Sequence, residues 1–223
     1  QAQTFFITGT DTAVGNPSRT ALLLQKKARA GWRCAGYKPV ASGSVLTAAG
    51  WRNDDVLALQ AAASVPLPYE MVNRVTLAEA TAPHLAARSE QKPILLNELD
   101  EGLAAVQASA DWVLVEGAGG WHTPLTEEQL FSDWVRARQL PVIVVVGMKL
   151  GAINHALLTA QAVAQAGLPL WGWIANEVIE AAPRQADYLD SLKARLPAPC
   201  LAHIRHGADA SEMAAALAAF RQA

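Results

Sequence analysis

The sequence predicts a single α/β domain, residues 1–223, with a doubly wound, mostly parallel sheet. Three observations carry this. Apolar, strand-sized runs alternate with Ala/Leu-rich segments of helical spacing along all 223 residues, the pattern of repeated strand–helix–strand units. Hydrophobic residues make up 52% and charged residues 17% of the chain, a balance that suits strands covered on both faces. The residues able to do chemistry directly follow the strand-like runs, at the edge of an open parallel sheet where ligands bind.

Residues 4–8 read as the first buried strand. Gly9-Thr10-Asp11-Thr12-Ala13-Val14-Gly15-Asn16-Pro17-Ser18 follows, then a helix over 18–30 that stops at Gly31. Strand, glycine loop and helix is the setting of a phosphate-binding loop, so the expected architecture is P-loop-NTPase-like. Such a loop cradles phosphates on backbone N–H groups and the helix N-terminus. Its lysine neutralises the terminal phosphates and its Ser or Thr hydroxyl holds Mg2+. Here the two glycines keep the interval, but Asn16 stands in the lysine position and Pro17 in the hydroxyl position. Pro17 also removes a backbone donor. Asparagine is a favoured N-cap and proline a favoured first helical residue, so Asn16-Pro17 reads as a self-capped helix start. Ser18 and Arg19 on the first turn are candidate substitutes; Ser18 is one position late for the metal and reads as an ordinary helix residue.

The second strand, 34–38, ends on Lys38, and Ser42 and Ser44 follow in a glycine-containing turn. Lys38 there either binds an anion or developing oxyanion or snorkels from a sheet edge; spacing leaves both open. Arg52-Asn53-Asp54-Asp55 opens a helix over 54–62, with Asp54 as its acidic cap and Asp55 as a metal carboxylate. A helix over 99–108 precedes the strand 112–116. Glu116 ends that buried strand before Gly117-Ala118-Gly119-Gly120. A carboxylate so placed is costly unless paired or metal-bound, and hard oxygen ligands suit Mg2+.

The strand 141–146 leads through Gly147-Met148-Lys149-Leu150-Gly151 into a helix over 154–166. Amides at that helix start can hold a carboxylate or phosphate. The strand 170–176 ends on Asn176, a side chain able to read a base edge, and the helix 186–196 carries Tyr188. A short strand near 200–204 and an Ala-rich amphipathic helix over 211–221 complete the pattern.

The formal net charge of -2 lacks the basic footprint of a nucleic-acid binder. No apolar run reaches membrane-spanning length, since Val142 to Val146 is strand-sized. Gln1-Ala2-Gln3 lead straight into a strand, so no secretory leader is expected. Cys34 and Cys200 form no CxxC motif and are expected as thiols in the cytoplasm. His84, His122, His155, His203 and His206 show no metal-ligand spacing. The seven Trp read as packing residues.

Taken together, Gly9-Thr10-Asp11-Thr12-x-Val14-Gly15, Gly36-Tyr37-Lys38-Pro39-Val40-Ala41-Ser42-Gly43, Arg52-Asn53-x-Asp55, Val115-Glu116-Gly117-Ala118-Gly119-Gly120-Trp121, Gly151-x-Ile153-Asn154-His155-Ala156 and Ala175-Asn176 resemble the dethiobiotin synthase family of enterobacterial type. The likeness runs from the first strand to about Pro199. It implies a cytoplasmic, homodimeric ligase that makes dethiobiotin from 7,8-diaminopelargonate, CO2 and Mg-ATP in biotin biosynthesis. By the same resemblance, Thr12, Lys38 and Ser42 are the catalytic set. Gly9, Asp11, Thr12, Val14, Gly15, Asn16, Pro17, Glu116 and Asn176 contact ATP. Asp55 and Glu116 hold Mg2+. Lys38, Ser42, Gly119, Lys149, Gly151, Ile153, Asn154 and Tyr188 contact substrate, with Gly151 to Asn154 and Tyr188 taking its carboxylate across the dimer interface.

The family has glutamate where Ala13 stands, lysine at Asn16 and threonine at Pro17. A Gly-x-x-Pro loop beside adenine becomes Ala202-His203-Ile204-Arg205. The diamine half is therefore expected intact and ATP use impaired. The alternative is a non-catalytic relative that keeps diamine binding or dimerisation without ATP use. No nucleic-acid or membrane partner is expected.

Overall fold

The computed structural model describes residues 1–12, 17–209, 211, 212 and 215. In chain order, β1 (Gln3–Gly9) and α1 (Pro17–Arg29) precede β2 (Cys34–Tyr37), β3 (Val40–Ser42), β4 (Val45–Thr47) and β5 (Gly50–Arg52). Next come α2 (Asp54–Ala62), α3 (Tyr69–Val72), β6 (Val75–Leu77), α4 (Pro83–Ser89) and α5 (Leu96–Ser109). Then follow β7 (Trp112–Glu116), α6 (Phe131–Arg138), β8 (Val142–Met148), α7 (Ala152–Gln165), β9 (Leu170–Glu177), α8 (Gln185–Arg195) and β10 (Cys200–Ile204).

The main sheet has the order β10-β9-β8-β1-β7-β2, and every pairing in it is parallel. Chain order reverses around β1, which lies between β7 and β8, so the crevice expected of a doubly wound sheet opens at its carboxyl end. Side chains alternate between two cores. Phe6, Val113, Val115, Val144 and Val146 face α5, α6, α7 and α8. Phe5, Ile7, Leu114, Ile143 and Val145 face α1 and α2. Burying every residue of β7 and β8 is what makes these strands read as continuous apolar runs. Among the described residues, no helix is long and apolar enough to cross a membrane.

Within the described residues, the predicted strands and helices are present with shifted ends. β2 stops at Tyr37 because the Lys38 N–H leaves the sheet and donates to Val72 O at 2.8 Å. β8 runs on to Met148, held by its pairing with Glu177. α1 begins at Pro17 and ends in a Schellman turn. Gly31 N–H donates to Ala28 O at 3.1 Å and Trp32 N–H to Lys27 O at 3.1 Å, with Gly31 at φ +90°. Asn16, its expected cap, lies outside the described residues, as does most of the expected helix 211–221. The small sheets β3–β6 and β4–β5 and helices α3, α4 and α6 were not predicted. Three-residue strands and one- or two-turn helices are too short to show a hydrophobic period.

Candidate active site

A cavity of about 820 Å3 occupies the carboxyl edge of the sheet. Its walls are the ends of β1, β7, β8 and β9, the first turn of α1, Lys38, Ser42, Asp55 and the loop after β10. One tertiary pocket thus collects residues from most of the strand ends singled out in the sequence.

Lys38 is its centre. The register that pairs Tyr37 with Val115 sets the next residue, Lys38, beside Glu116. The Lys38 backbone is pinned by its N–H on Val72 O and by Asn73 Nδ2, which donates to its carbonyl at 2.9 Å. Nζ donates to Gly117 O at 2.8 Å and lies 3.5 Å from Asp55 Oδ2 and 3.6 Å from Glu116 Oε1. With 4% of its surface exposed, Lys38 does not snorkel; its ammonium is fixed inside the cavity.

Burial pushes the Glu116 carboxyl up to about 7; Lys38 opposes that shift and Asp55 reinforces it. Glu116 Oε2 is buried and has no hydrogen-bond partner among the described residues. An unpartnered buried carboxylate oxygen beside a second carboxylate fits a divalent cation. Mg2+ commonly takes one or two protein carboxylates and completes its shell with water and substrate phosphates. Among the described residues no third Asp, Glu, His or Cys joins the pair, in keeping with that sparse mode of binding.

Asp55 and Ser42 are positioned by Asn53. Asn53 is the N-cap of α2, accepting on Oδ1 from Asp55 N–H at 3.0 Å and Val56 N–H at 3.3 Å. Its Nδ2 donates to Ser42 O at 3.3 Å and Gly43 O at 3.1 Å. The expected cap, Asp54, is instead an exposed first-turn residue. An Asn immediately before an Asp-Asp helix start was the available signal.

Beyond the end of β1, Thr12 N–H donates to Asp11 Oδ1 at 2.7 Å, and Asp11 pairs with Lys149 at 3.1 Å. The Lys149 hydrogen bond and then the Thr12 N–H hold the Asp11 carboxyl below its ordinary value. Gly119 has φ +68°, and a Cβ there would stand 2.8 Å from Thr123 Oγ1 and 3.6 Å from Thr12 Oγ1. Gly9 also borders the cavity. Val14, Gly15 and Asn16 lie outside the described residues, and Pro17 opens α1.

Arg19, in the same first turn, lines the cavity and donates from Nε to Asn176 Oδ1 at 2.9 Å. Both residues are buried. Beyond them Glu177 ties down the loop after β10, accepting from His206 N–H at 3.1 Å and meeting His203 Nε2 at 2.9 Å. Ala202, His203 and Ile204 belong to β10 itself, so the stretch expected as a loop reaches the loop only at Arg205. Glu177 and His206 carried no sequence signal, because nothing local joins a strand end to a loop 29 positions further on.

Lys149, Gly151, Ile153, Asn154 and Tyr188 do not line this cavity within one chain. Lys149 reaches its rim only through Asp11. Gly151 precedes α7 at φ +94°, Asn154 is exposed, and Ile153 and Tyr188 pack partly buried against the core. Leu150, 86% exposed, and Leu158, 56% exposed, flank the same stretch.

A family model described as an AAA domain matches residues 3–214. The chain is 55% identical over 208 residues to "ATP-dependent dethiobiotin synthetase BioD" of Yersinia pestis bv. Antiqua (strain Angola), covering 93% of this chain and 87% of that one. It is 52% identical over 211 residues to "ATP-dependent dethiobiotin synthetase BioD 1" of Escherichia coli (strain K12), covering 95% and 94% respectively. Among solved structures, the MinC:MinD cell division protein complex of Aquifex aeolicus superposes with a TM-score of 0.57 at 16% identity, covering 96% of this chain and 85% of that chain. At that identity the likeness is one of fold.

Proposed function

The chain belongs to the ATP-dependent dethiobiotin synthetase family, and on that premise we propose that it closes the ureido ring of dethiobiotin from 7,8-diaminopelargonate, CO2 and Mg-ATP in biotin biosynthesis. The observation that carries this reading is the buried Lys38 ammonium, held between Gly117 O, Asp55 and Glu116 at the sheet edge.

One amine of the substrate adds to CO2 and loses a proton, leaving a carbamate. The Lys38 ammonium and Ser42 hydroxyl hold the carbamate and phosphoryl oxygens. Lys38 is already desolvated and fixed, so it meets developing negative charge without reorganising. The carbamate oxygen takes the γ-phosphoryl group and ADP leaves. The second amine then attacks the mixed anhydride, closing the ring and releasing phosphate. Asp55 and Glu116 would hold Mg2+, which when bound neutralises charge on the phosphates; the unpartnered Glu116 Oε2 supports that role. Thr12 serves the phosphates and Asn176 the adenine.

The substrate carboxylate is taken by Gly151, Ile153, Asn154 and Tyr188 from the second subunit of a homodimer. Two facts support this part: these residues stand off the cavity of their own chain, and the large apolar side chains Leu150 and Leu158 near them in the chain are exposed. A cytoplasmic setting belongs to the same reading, with Cys34 and Cys200 as free thiols.

A second reading, a relative that binds the diamine without turning over ATP, is favoured by Asn16 and Pro17 in the phosphate loop. Incubation with 7,8-diaminopelargonate, bicarbonate and Mg-ATP, followed by mass spectrometry, decides between them. Dethiobiotin with stoichiometric phosphate supports the synthetase. Thermal stabilisation by the diamine with no product supports the second reading.

A further inference from the structure

We propose that Asn73, which does not line the cavity, is a positioning residue for Lys38, and that helix α3 before it sets the spacing between Lys38 and Asp55. The part Lys38 plays in turnover rests on the synthetase reading; the contacts that hold Lys38 stand apart from it.

Lys38 faces a local problem. β2 ends at Tyr37, so Lys38 lies outside the sheet ladder. Pro39 after it favours extended backbone at Lys38 and offers no N–H of its own. Buried backbone groups that leave a sheet need other partners, and the end of α3 supplies them. Val72 O accepts the Lys38 N–H at 2.8 Å, and Asn73 Nδ2 donates to Lys38 O at 2.9 Å. Val75 N–H then donates to Pro39 O at 2.9 Å. Lys38 and Pro39 are thereby strapped to a segment 35 positions further on.

Asn73 is held as firmly as it holds. It is 2% exposed and caps the end of α3, its N–H donating to Tyr69 O at 2.9 Å. Nδ2 also donates to Val75 O at 3.0 Å, and Oδ1 accepts from Thr76 Oγ1 at 2.5 Å. A buried amide with both its ends engaged is a rigid clamp. The other end of α3 reaches the second carrier of the site. Tyr69 and Val72 are buried in the core that contains Val56 and Leu59 of α2, and Tyr69 Oη accepts from Asn53 N–H at 2.9 Å. Asn53 in turn caps the helix that carries Asp55. One short helix thus touches both the Lys38 backbone and the Asp55 support, and it spans the pair whose charged ends stand 3.5 Å apart. Packing alone requires neither the Asn73 amide nor the Tyr69 hydroxyl.

The test follows the Lys38 ammonium by heteronuclear NMR of the full chain. Protons of a buried, hydrogen-bonded ammonium exchange slowly with water and stay visible; the Lys38 signal is the one that Lys38→Met removes. Asn73→Ala is expected to speed its exchange by about 10-fold, with Asn73→Ser, which keeps a short donor, between wild type and Asn73→Ala. Tyr69→Phe is expected to shift the same signal, because the Asp55 support loses a contact. The indole signal of Trp173, which donates to Ala198 O at 3.0 Å in the other core, reports the fold and should stay unchanged. Should Asn73→Ala fail to fold, Asn73→Ser and Tyr69→Phe carry the expectation. In steady state Asn73→Ala should lower kcat by about 10-fold and leave the KM for Mg-ATP unchanged. The proposal is overturned if the Lys38 signal of Asn73→Ala matches wild type, or if wild type shows no signal that Lys38→Met removes. It is equally overturned if the Lys38 and Trp173 signals change together, which marks a role in the fold alone. A wild type that forms no dethiobiotin, with its Lys38 signal still answering to Asn73, counts against the synthetase reading and not against Asn73.

Discussion

Lys38 Nζ lies 3.6 Å from Glu116 Oε1, across the ends of two parallel strands that pair Tyr37 with Val115. The contact joins a base and an acid that stand far apart in the chain. It keeps an ammonium inside the protein where a charge alone would be expelled, and it leaves Glu116 Oε2 without a partner. The pair thus presents a fixed ammonium and an unpartnered carboxylate oxygen to one cavity.

Lys38→Met is expected to lower turnover by about 10²- to 10³-fold, the usual effect of losing a preorganised charge-stabilising group. Steady-state dethiobiotin formation measures it. The same variant should bind adenosine normally, because Asn176 lies at the other end of the cavity.

Glu116 sets a pH dependence of stability. Its carboxyl titrates near 7 in the folded chain, against 4.5 ordinarily, because burial disfavours the charge. Between those values the folded state holds more protons than the unfolded one, so stability falls as pH rises from about 4.5 through 7. The contribution is roughly 3 kcal/mol. Thermal midpoints from pH 5 to 8 should decline more steeply for wild type than for Glu116→Gln, and Mg2+ should flatten the wild-type curve.

Asn53→Ala removes the cap of α2 and its ties to Ser42 and Gly43. A loss of about 1–2 kcal/mol is expected in denaturant unfolding. Turnover should fall as well, since Asp55 and Ser42 lose their common anchor; equal turnover in wild type and variant would contradict that positioning role.

Gly119→Ala places a Cβ 2.8 Å from Thr123 Oγ1 at a left-handed backbone position. Destabilisation of about 1–2 kcal/mol is expected. A rise in the KM for Mg-ATP should accompany it, because the new methyl faces Thr12.

Restoring the loop with Asn16→Lys and Pro17→Thr is expected to tighten Mg-ATP by about 10-fold or more, from one charge-assisted phosphate contact. Because asparagine is a favoured N-cap and proline a favoured first helical residue, the apo protein should lose about 1 kcal/mol.

Much of this was legible in the chain itself. Hydrophobic period and glycine punctuation are local properties, so the six strands of the main sheet, the helices α1, α2, α5, α7 and α8, and the strand-end residues Lys38, Glu116 and Asn176 could be read without coordinates. The family likeness rested on those same short motifs. Asn53 was misassigned because the choice among Asn53, Asp54 and Asp55 depends on a backbone angle, φ -107° and ψ 134° at the cap, that composition does not encode.

By itself, then, the sequence determined the α/β alternation, the edge of the sheet that carries the chemistry and the loss of the loop lysine. Only the tertiary structure decided that Lys38 is buried between Asp55 and Glu116, that Arg19 reaches Asn176, and that the Gly151–Asn154 segment stands off the cavity of its own chain. Those facts depend on strand order and register between segments up to 157 positions apart. Packing of the whole sheet sets them, and no local pattern carries that information.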